Sequence, residues 1–381
     1  MSEGATTSPG IFGNALQRIE RFLFDSPTWA YLLILHLLMW VKTGLWGIPN
    51  LMLTRQIALD PFVNPFVDPF AHYLFWSWLA PWLAWLVGAT GETSFFLFNL
   101  GWLVIFNVGV VWYLLRELPP RSARIALLMF ASLPISTTVW YWLCTDSLTL
   151  VLLLAAIALR RKAWVLALIG LALGMQHFEH AFLVAGLLIG FGVLRRWMPQ
   201  RLPGDDAQPA EGFAILPSIL LMVGIIAGKF LLIALFKHFD IVINSGRTYW
   251  LVEHWQLLMR EFVNTMAYSV WSIFGVGWLL VARYLARDRG AAAFAILMLG
   301  LLLIFGMVGD KTRVLAIITF PLVMTQLLLN RPLLAGISSA ETSRYFVLWL
   351  AVPWIWVALG APQMSAFPND LVWLWSALGG S

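Results

Sequence analysis

Long apolar runs separated by short polar breaks fill the chain from residue 28 to residue 360. Many of the runs approach the roughly 20 residues that a helix needs to cross the hydrocarbon core of a bilayer. The strict alternation of apolar and polar positions that is typical of strands is missing. The pattern therefore predicts an all-α, polytopic bundle of about 11 transmembrane helices, at residues 28–46, 94–115, 125–144, 147–159, 163–176, 181–194, 214–236, 266–282, 291–308, 314–329 and 345–360.

Residues 73–89 form a twelfth apolar stretch, with Pro81 in its middle. Its four tryptophans suit the headgroup boundary, where amphipathic rings are enriched. We therefore interpret it as an interfacial or re-entrant helix, since counting it as a crossing would invert every later span. This helix lies in the first outer loop, residues 47–93.

The positive charges decide between the two topologies, because Lys and Arg in short loops resist translocation. If residues 73–89 do not cross, one side collects sixteen of the 24 Lys and Arg residues. The alternative separates Arg18 and Arg21 from every later basic cluster. We therefore expect a cytoplasmic N-terminus and a C-terminus outside. The inside set is Arg18, Arg21, Arg116, Arg121, Arg124, Arg160, Arg161, Lys162, Arg195, Arg196, Arg201, Arg283, Arg287, Arg289, Arg331 and Arg344.

A polar segment rich in proline and glycine, residues 195–213, interrupts the apolar pattern and predicts a cytoplasmic linker. It divides an N-terminal module of six helices, residues 1–194, from a C-terminal module of five, residues 214–381. The first 27 residues contain Glu20 and Asp25 and lack the order of a signal peptide. We expect the first span to be retained.

Composition supports a membrane protein, because 61% of the residues are hydrophobic and only 11% are charged. The net charge of +5 does not indicate nucleic-acid binding, since the basic residues lie in loops between apolar runs. Cys144 is the only cysteine, which excludes a disulfide or a cysteine metal site within one chain.

The predicted topology brings carboxylates and cations together on the outer face. Ionisable groups near hydrocarbon are costly and are therefore functional candidates. The set comprises Asp60, Asp68, Asp146, His177, Glu179, His180, Lys237, His238, Asp240, Arg247, Glu253, His254, Arg260, Asp310, Lys311 and Arg313.

Asp60 and Asp68 stand before prolines in the first outer loop, where Asx-Pro steps create defined turns. Either carboxylate could act as a general base at the membrane surface. The alternative is that both only form turns or caps. Asp146 begins a span, so a capping role at Thr145 or Asp146 is the simpler interpretation.

His177 and His180 lie three residues apart and can share one helical face. No third ligand outside this segment is evident, so we predict phosphate or hydroxyl contacts rather than a metal site. Lys311 and Arg313 suit a lipid phosphate through charge-assisted hydrogen bonds. The alternative for Arg313 is a local ion pair with Asp310.

These features together resemble the GT-C class of integral membrane glycosyltransferases, which use polyprenyl-phosphate sugars. The resemblance rests on the cytoplasmic N-terminus, the acidic first outer loop with its surface helix, Asp146-Ser147 after an aromatic run, and Asp310-Lys311-Thr312-Arg313 followed by Pro321. The resemblance extends over most of the chain, but it rests on the arrangement of the elements more than on sequence motifs. The loop departs from the family pattern because it lacks paired acidic residues.

The resemblance implies an inverting hexosyl or pentosyl transfer from a polyprenyl-phosphate donor to a lipid-linked or glycan hydroxyl, outside a bacterial inner membrane. Asp60 or Asp68 would be the base, Lys311 and Arg313 would hold the phosphate, and His177, His180, Arg247 and Asp146 would be accessory. No metal or other cofactor is required, because fixed positive charge stabilises the anionic leaving group. A transporter or lipid flippase, and a structural subunit of a membrane complex, are the competing interpretations.

Overall fold

The computed structural model describes residues 11–43, 49–141, 143–197, 213–243, 247–287, 290–306, 308–358 and 361–364. Between their loops, these residues form helices and one two-stranded antiparallel hairpin. The α-helices are α1 Ile11–Asp25, α2 Thr28–Thr43, α3 Pro49–Leu59, α4 Leu79–Leu86, α5 Glu92–Glu117, α6 Pro120–Ser132, α7 Pro134–Tyr141, α8 Asp146–Ala158, α9 Ala163–Trp197, α10 Ile215–His238, α11 Arg247–Ser272, α12 Trp278–Arg287, α13 Ala291–Phe305, α14 Lys311–Val323, α15 Arg331–Ala335 and α16 Ser339–Ala351. Short 3₁₀ helices cover Pro69–Trp76 and Gly275–Gly277, a π-helix covers Met324–Leu328, and the strands are β1 Ile355–Ala358 and β2 Ala361–Met364.

Four helices are long and apolar enough to cross a membrane: α5, α9, α10, and α14 with its π-helical extension to Leu328. The number rises to six if two sharply bent pairs, Gly13–Asp25 with Thr28–Thr43 and Val252–Ser272 with Gly275–Ala286, each form one span. The described part of the chain is thus an α-helical bundle with four to six candidate membrane spans. The eleven crossings stay a prediction.

Several predicted spans are divided in the structure. The run at residues 125–144 becomes α6 and α7, which are separated at Leu133 because Pro134 starts a new helix. The last run, residues 345–360, ends as a helix at Ala351 and continues into strand β1. Hydrophobicity alone did not reveal this hairpin, since its first strand continues the apolar run of the helix before it.

The structure does not form one continuous interfacial helix over residues 73–89. This stretch consists of the end of a 3₁₀ helix and of α4, with a break at residues 77–78. Aromatic packing holds it against the end of α10, where Phe75 and Trp76 contact Phe236 at ring separations of 5.2 and 5.4 Å. The first outer loop is therefore packed on the bundle.

Helix α9 reverses its direction at His177, whose backbone is extended (φ −161°, ψ 77°). Gly174 contacts the backbone of Ile225, while Gly192 contacts Ile215 at the start of α10. If α9 continued straight past Gly174, Gly192 would lie about 40 Å from Ile215 along the α10 axis at 1.5 Å per residue. The first and second segments of α9 must therefore fold back on each other, as the predicted runs at residues 163–176 and 181–194 require.

Small residues allow the first segment of α9 to lie directly on α10. A Cβ atom on Gly170 or Gly174 would come within 2.3 Å or 2.1 Å of a backbone oxygen of α10, and one on Gly224 or Gly228 within 2.0 Å or 2.1 Å of α9. Both helices carry two glycines four residues apart, the spacing that lets membrane helices approach closely.

Basic side chains of the predicted inner loops lie at one end of the bundle. There Arg121 donates to the carbonyl of Ile337, Arg124 to that of Leu23 and Arg331 to that of Glu117. Arg331 follows the π-helix, while Lys311 begins α14 about 25 Å away at helical rise. The acidic and basic residues at the start of α14 therefore lie at the opposite end. Most of the predicted linker, residues 198–212, lies outside the described residues.

Candidate functional site

A buried polar cluster lies where α8 and α14 begin and α9 turns back. Asp146 is the first residue of α8, and its carboxylate is 9% exposed. Thr145 occupies the N-cap position without a side-chain capping bond. The structure thus places Asp146 inside the protein, facing neighbouring helices, which the capping interpretation did not require.

Arg313 joins the start of α14 to the start of α8 within this cluster. Its guanidinium donates to Asp146 Oδ2 at 2.5 Å and to Asp310 Oδ2 at 2.5 Å. The local ion pair that we weighed as an alternative is therefore present, together with a second, long-range pair. Asp310 is held in turn by the indole N–H of Trp356, which donates to its Oδ1 at 2.8 Å. Two carboxylates thus fix the guanidinium.

The C-terminal hairpin closes the side of the cluster next to α14. Ala358 of β1 forms an isolated backbone bridge with Asp310, and the amide of Val357 donates to Thr312 Oγ1 at 2.9 Å. The hydroxyl of Thr312 donates to Ser272 at the end of α11 at 2.7 Å. Buried polar groups are costly unless they are hydrogen-bonded, so this network fixes the first turn of α14.

His177 and His180 lie beside Asp146 at the turn of α9. Their rings stack with centroids 3.4 Å apart and an interplanar angle of 11°. His177 Nε2 is 3.9 Å from Asp146 Oδ1, and its Nδ1 is 3.8 Å from Glu179 Oε2. Asp146, His177 and His180 are the residues here that could hold a metal, because one ligand atom from each lies within 4.8 Å of the others.

Lys311 contributes a buried cation next to this network. Its side chain is 0% exposed, and its ammonium has no hydrogen-bond partner among the described residues. Glu261 of α11 is close enough to interact electrostatically with it, yet Glu261 Oε2 is also buried without a hydrogen bond to any described group. A buried ammonium without a hydrogen bond is expensive, so Lys311 is the residue of the cluster most suited to an anionic ligand.

Gln176 attaches the first outer loop to the cluster. Its side-chain amide donates to the carbonyl of Thr145 at 2.8 Å, and its oxygen accepts from the amide of Ala80 in α4 at 2.8 Å. On the other side of the loop, the Lys229 ammonium lies 3.2 Å from the ring centroid of Trp76. The loop is therefore held directly beside the polar residues.

The two predicted bases lie on the surface of this loop. Asp60 is exposed, and its carboxylate accepts the amide of Phe62 at 3.0 Å, which forms an Asx turn. Asp68 is also exposed, and its backbone carbonyl accepts from Ala71. The structure therefore does not bury either carboxylate with Asp146 and Arg313. The side chain of Arg247, at the start of α11, lies outside the described residues.

Sequence reasoning did not single out Cys144, Gln176, Glu261 or Trp356. Cys144 Sγ is 3.2 Å from Asp146 Oδ2. The sequence carried one usable signal, since Gln176 adjoins His177 and Cys144 lies two residues before Asp146. Glu261 and Trp356 are distant in sequence and offered none.

Comparisons with known proteins do not assign this chain to a family. No protein-family model, curated protein or solved structure matches it.

Proposed function

We propose that this protein is an integral membrane glycosyltransferase similar to the GT-C class. It moves a sugar from a polyprenyl-phosphate donor to a hydroxyl acceptor at the extracytoplasmic face, with inversion at the anomeric carbon. The observation that carries the proposal is the buried ammonium of Lys311, which has no hydrogen-bond partner among the described residues and lies in a polar cluster at one end of a helical bundle.

A lipid phosphate suits Lys311 because the donor already lies in the membrane and its anionic group would offset the cost of the buried cation. The phosphate is also the leaving group, and fixed positive charge stabilises the negative charge that it gains as the sugar departs. Arg313 has a different role in this proposal, since its guanidinium is already paired with Asp146 and Asp310. It positions Asp146, and His177, His180 and Arg247 remain accessory candidates.

The acceptor is activated from the first outer loop. Asp60 or Asp68 takes the proton of the acceptor hydroxyl as its oxygen attacks the anomeric carbon, and the bond from that carbon to the phosphate oxygen breaks. Polyprenyl phosphate leaves as an anion. The exposure of both carboxylates supports this role, because a glycan or lipid-linked acceptor can reach them from water.

The proposal includes the finer topology. The chain crosses the membrane eleven times, with its N-terminus and basic loops in the cytoplasm and the cluster at the periplasmic or outer face of a bacterial inner membrane. The grouping of Arg121, Arg124 and Arg331 at the end of the bundle opposite Lys311 supports this orientation.

The test is sugar transfer from labelled polyprenyl-phosphate sugars in membranes that contain the wild type, Lys311→Met, Asp60→Asn or Asp68→Asn. We expect Lys311→Met and one of the two Asp variants to lose at least about 100-fold in transfer rate. A loss of this size is typical when an enzyme loses its general base or one contact that stabilises charge in the transition state. Two exposed groups at the end of α10 supply controls, Lys237→Met and Asp240→Asn, which should transfer normally.

Failure of the wild type to transfer from any donor would remove this proposal and favour the transporter. Unchanged transfer by Lys311→Met would remove the phosphate contact while leaving the enzyme class in place. Normal transfer by both Asp variants would show that the base lies elsewhere in the cluster.

A further inference from the structure

The geometry points to a divalent transition-metal site formed by Asp146, His177 and His180, and the ion that fits it is Zn²⁺. The two histidines alone make a weak motif, because a zinc site needs at least three protein ligands. The fold supplies the third ligand from another helix, since Asp146 begins α8. All three side chains are buried, and one ligand atom from each lies within 4.8 Å of the others.

The groups around His177 are arranged as the outer shell of a metal ligand requires. Its Nε2 faces Asp146 Oδ1, and its Nδ1 faces the carboxylate of Glu179 at 3.8 Å. Histidines that bind metals almost always donate their other ring N–H to a carboxylate, a carbonyl or water. When the ring turns to bring Nδ1 within hydrogen-bond distance, Glu179 selects the tautomer that presents Nε2 to the ion.

The charges around the site favour a cation. Arg313 holds Asp146 Oδ2 and leaves Oδ1 directed toward the imidazole, so the carboxylate can bind through one oxygen. The carboxylates of Asp146, Glu179 and Asp310 outnumber the cations of Arg313 and Lys311. A divalent ion would meet an excess of negative charge and a buried, partly dry site.

The ligand types identify the class of metal. Imidazole suits zinc and other first-row transition metals, whereas Mg²⁺ and Ca²⁺ take oxygen ligands. Bond lengths of about 2.0–2.2 Å hold tetrahedral ligand atoms roughly 3.4 Å apart. The most distant ligand atoms must therefore approach by up to about 1.4 Å. The two imidazoles, now stacked at 3.4 Å and 11°, must also tilt apart by rotation of their side chains, because an ion lies in the plane of each ring that binds it. Three protein ligands leave a fourth position open for water or for an anionic ligand.

Ion binding is measured without a sugar donor, so its outcome is independent of the proposed transfer reaction. The full-length protein is purified in detergent, stripped with a chelator, reloaded with Zn²⁺ and analysed for bound metal. We expect about one ion per chain and a higher Tm in the presence of Zn²⁺, since a ligand that binds only the native state stabilises it. His180→Gln and Asp146→Asn should lose this uptake, and Glu179→Gln should bind about 10–100-fold more weakly.

His238→Gln is the matched control, because His238 is an exposed histidine at the end of α10. It should bind zinc as the wild type does. Zinc-edge X-ray absorption of the wild type should show two imidazole ligands, which tests the site even if the variants do not fold. Absence of stoichiometric zinc in the wild type, absence of imidazole ligation, or unchanged uptake by a folded His180→Gln protein would each overturn the proposal.

Discussion

The Arg313 guanidinium and the Asp146 carboxylate form an ion pair of 2.5 Å between the first turns of α14 and α8, with side chains 19% and 9% exposed. The two residues are 167 positions apart in the chain. Because Asp310 also binds the guanidinium, this pair fixes the relative positions of α8, α14 and the C-terminal hairpin. Because both side chains are largely buried, little water screens the attraction between their charges.

Breaking this pair should destabilise the protein strongly. Arg313→Met leaves the carboxylates of Asp146 and Asp310 without their cation, which costs about 3–5 kcal/mol. Asp146→Asn should cost less, because Arg313 stays paired with Asp310. Arg313→Met and Asp146→Asn should each lower the midpoint of thermal unfolding in detergent, and the double variant should lose less than the sum of both. The pair of Arg55 and Glu92 is the control, since Glu92 is 74% exposed and its loss should cost at most about 1 kcal/mol. Additive effects of the Arg313 and Asp146 changes would contradict the coupling.

Lys311→Met should remove function without reducing stability. Methionine fills a similar volume and carries no charge to desolvate, which offsets the lost attraction to Glu261, so the free energy of unfolding should stay equal or rise by about 1 kcal/mol. Thermal unfolding and sugar transfer are measured on the same preparation. Lys237→Met, at an exposed position, should change neither quantity. A clear loss of stability in Lys311→Met would mean that the ammonium contributes to the folded state and is not held there for a ligand.

Gly174→Ala should destabilise the contact between α9 and α10. The added methyl group would lie 2.1 Å from the carbonyl oxygen of Ile225, so the backbones must separate. Gly101→Ala in α5 is the control, because nothing lies within 4 Å of its Cβ position. There alanine should stabilise the helix by up to about 1 kcal/mol through its higher helix propensity. The two unfolding midpoints should therefore shift in opposite directions. A shift of both midpoints in the same direction would contradict the close contact at Gly174.

Glu341 should stabilise the start of α16 in a pH-dependent manner. Hydrogen bonds from the amide and the hydroxyl of Ser338, with Arg283 nearby, lower the pKa of its carboxyl group from 4.5 to about 2. A depressed pKa in the folded state gives stability that is complete above pH 4.5 and is lost as the pH falls through about 2.

The corresponding experiment compares the wild type with Glu341→Gln in thermal unfolding over that pH range. The wild type should be more stable by about 0.5–1 kcal/mol at neutral pH, a modest value because the side chain is half exposed. The difference should shrink as the carboxylate of the wild type becomes protonated. A difference that does not depend on pH would exclude the charged form as its source.

Some features of the structure follow from local chemistry and were therefore predictable. The Asx turn at Asp60 and the pair of Asp310 with Arg313 involve residues within three positions of each other. The reversal at His177 follows from a polar segment between two apolar runs. The glycines of α9 and α10 also carried a readable signal, their spacing of four residues, which our sequence analysis did not use.

Other features depend on how the helices pack. The break at Pro134 and the strand after Ala351 interrupt predicted spans whose average hydrophobicity stays high, so hydrophobicity could not place them. Likewise, Asp60 and Asp68 were predicted beside the later cations, and the sequence could not tell that they would stay exposed while Asp146 became buried.

The sequence by itself determined an apolar α-helical chain with basic residues gathered toward one end and mixed charges toward the other. Hydrophobic runs and loop charges act over a few neighbouring residues, so they can be read along the chain. The tertiary structure alone decided that Asp146 meets Arg313 and His177, and that Lys311 is buried without a described hydrogen-bond partner. Those contacts depend on the rotation and depth of separate helices, which many residues fix jointly through packing.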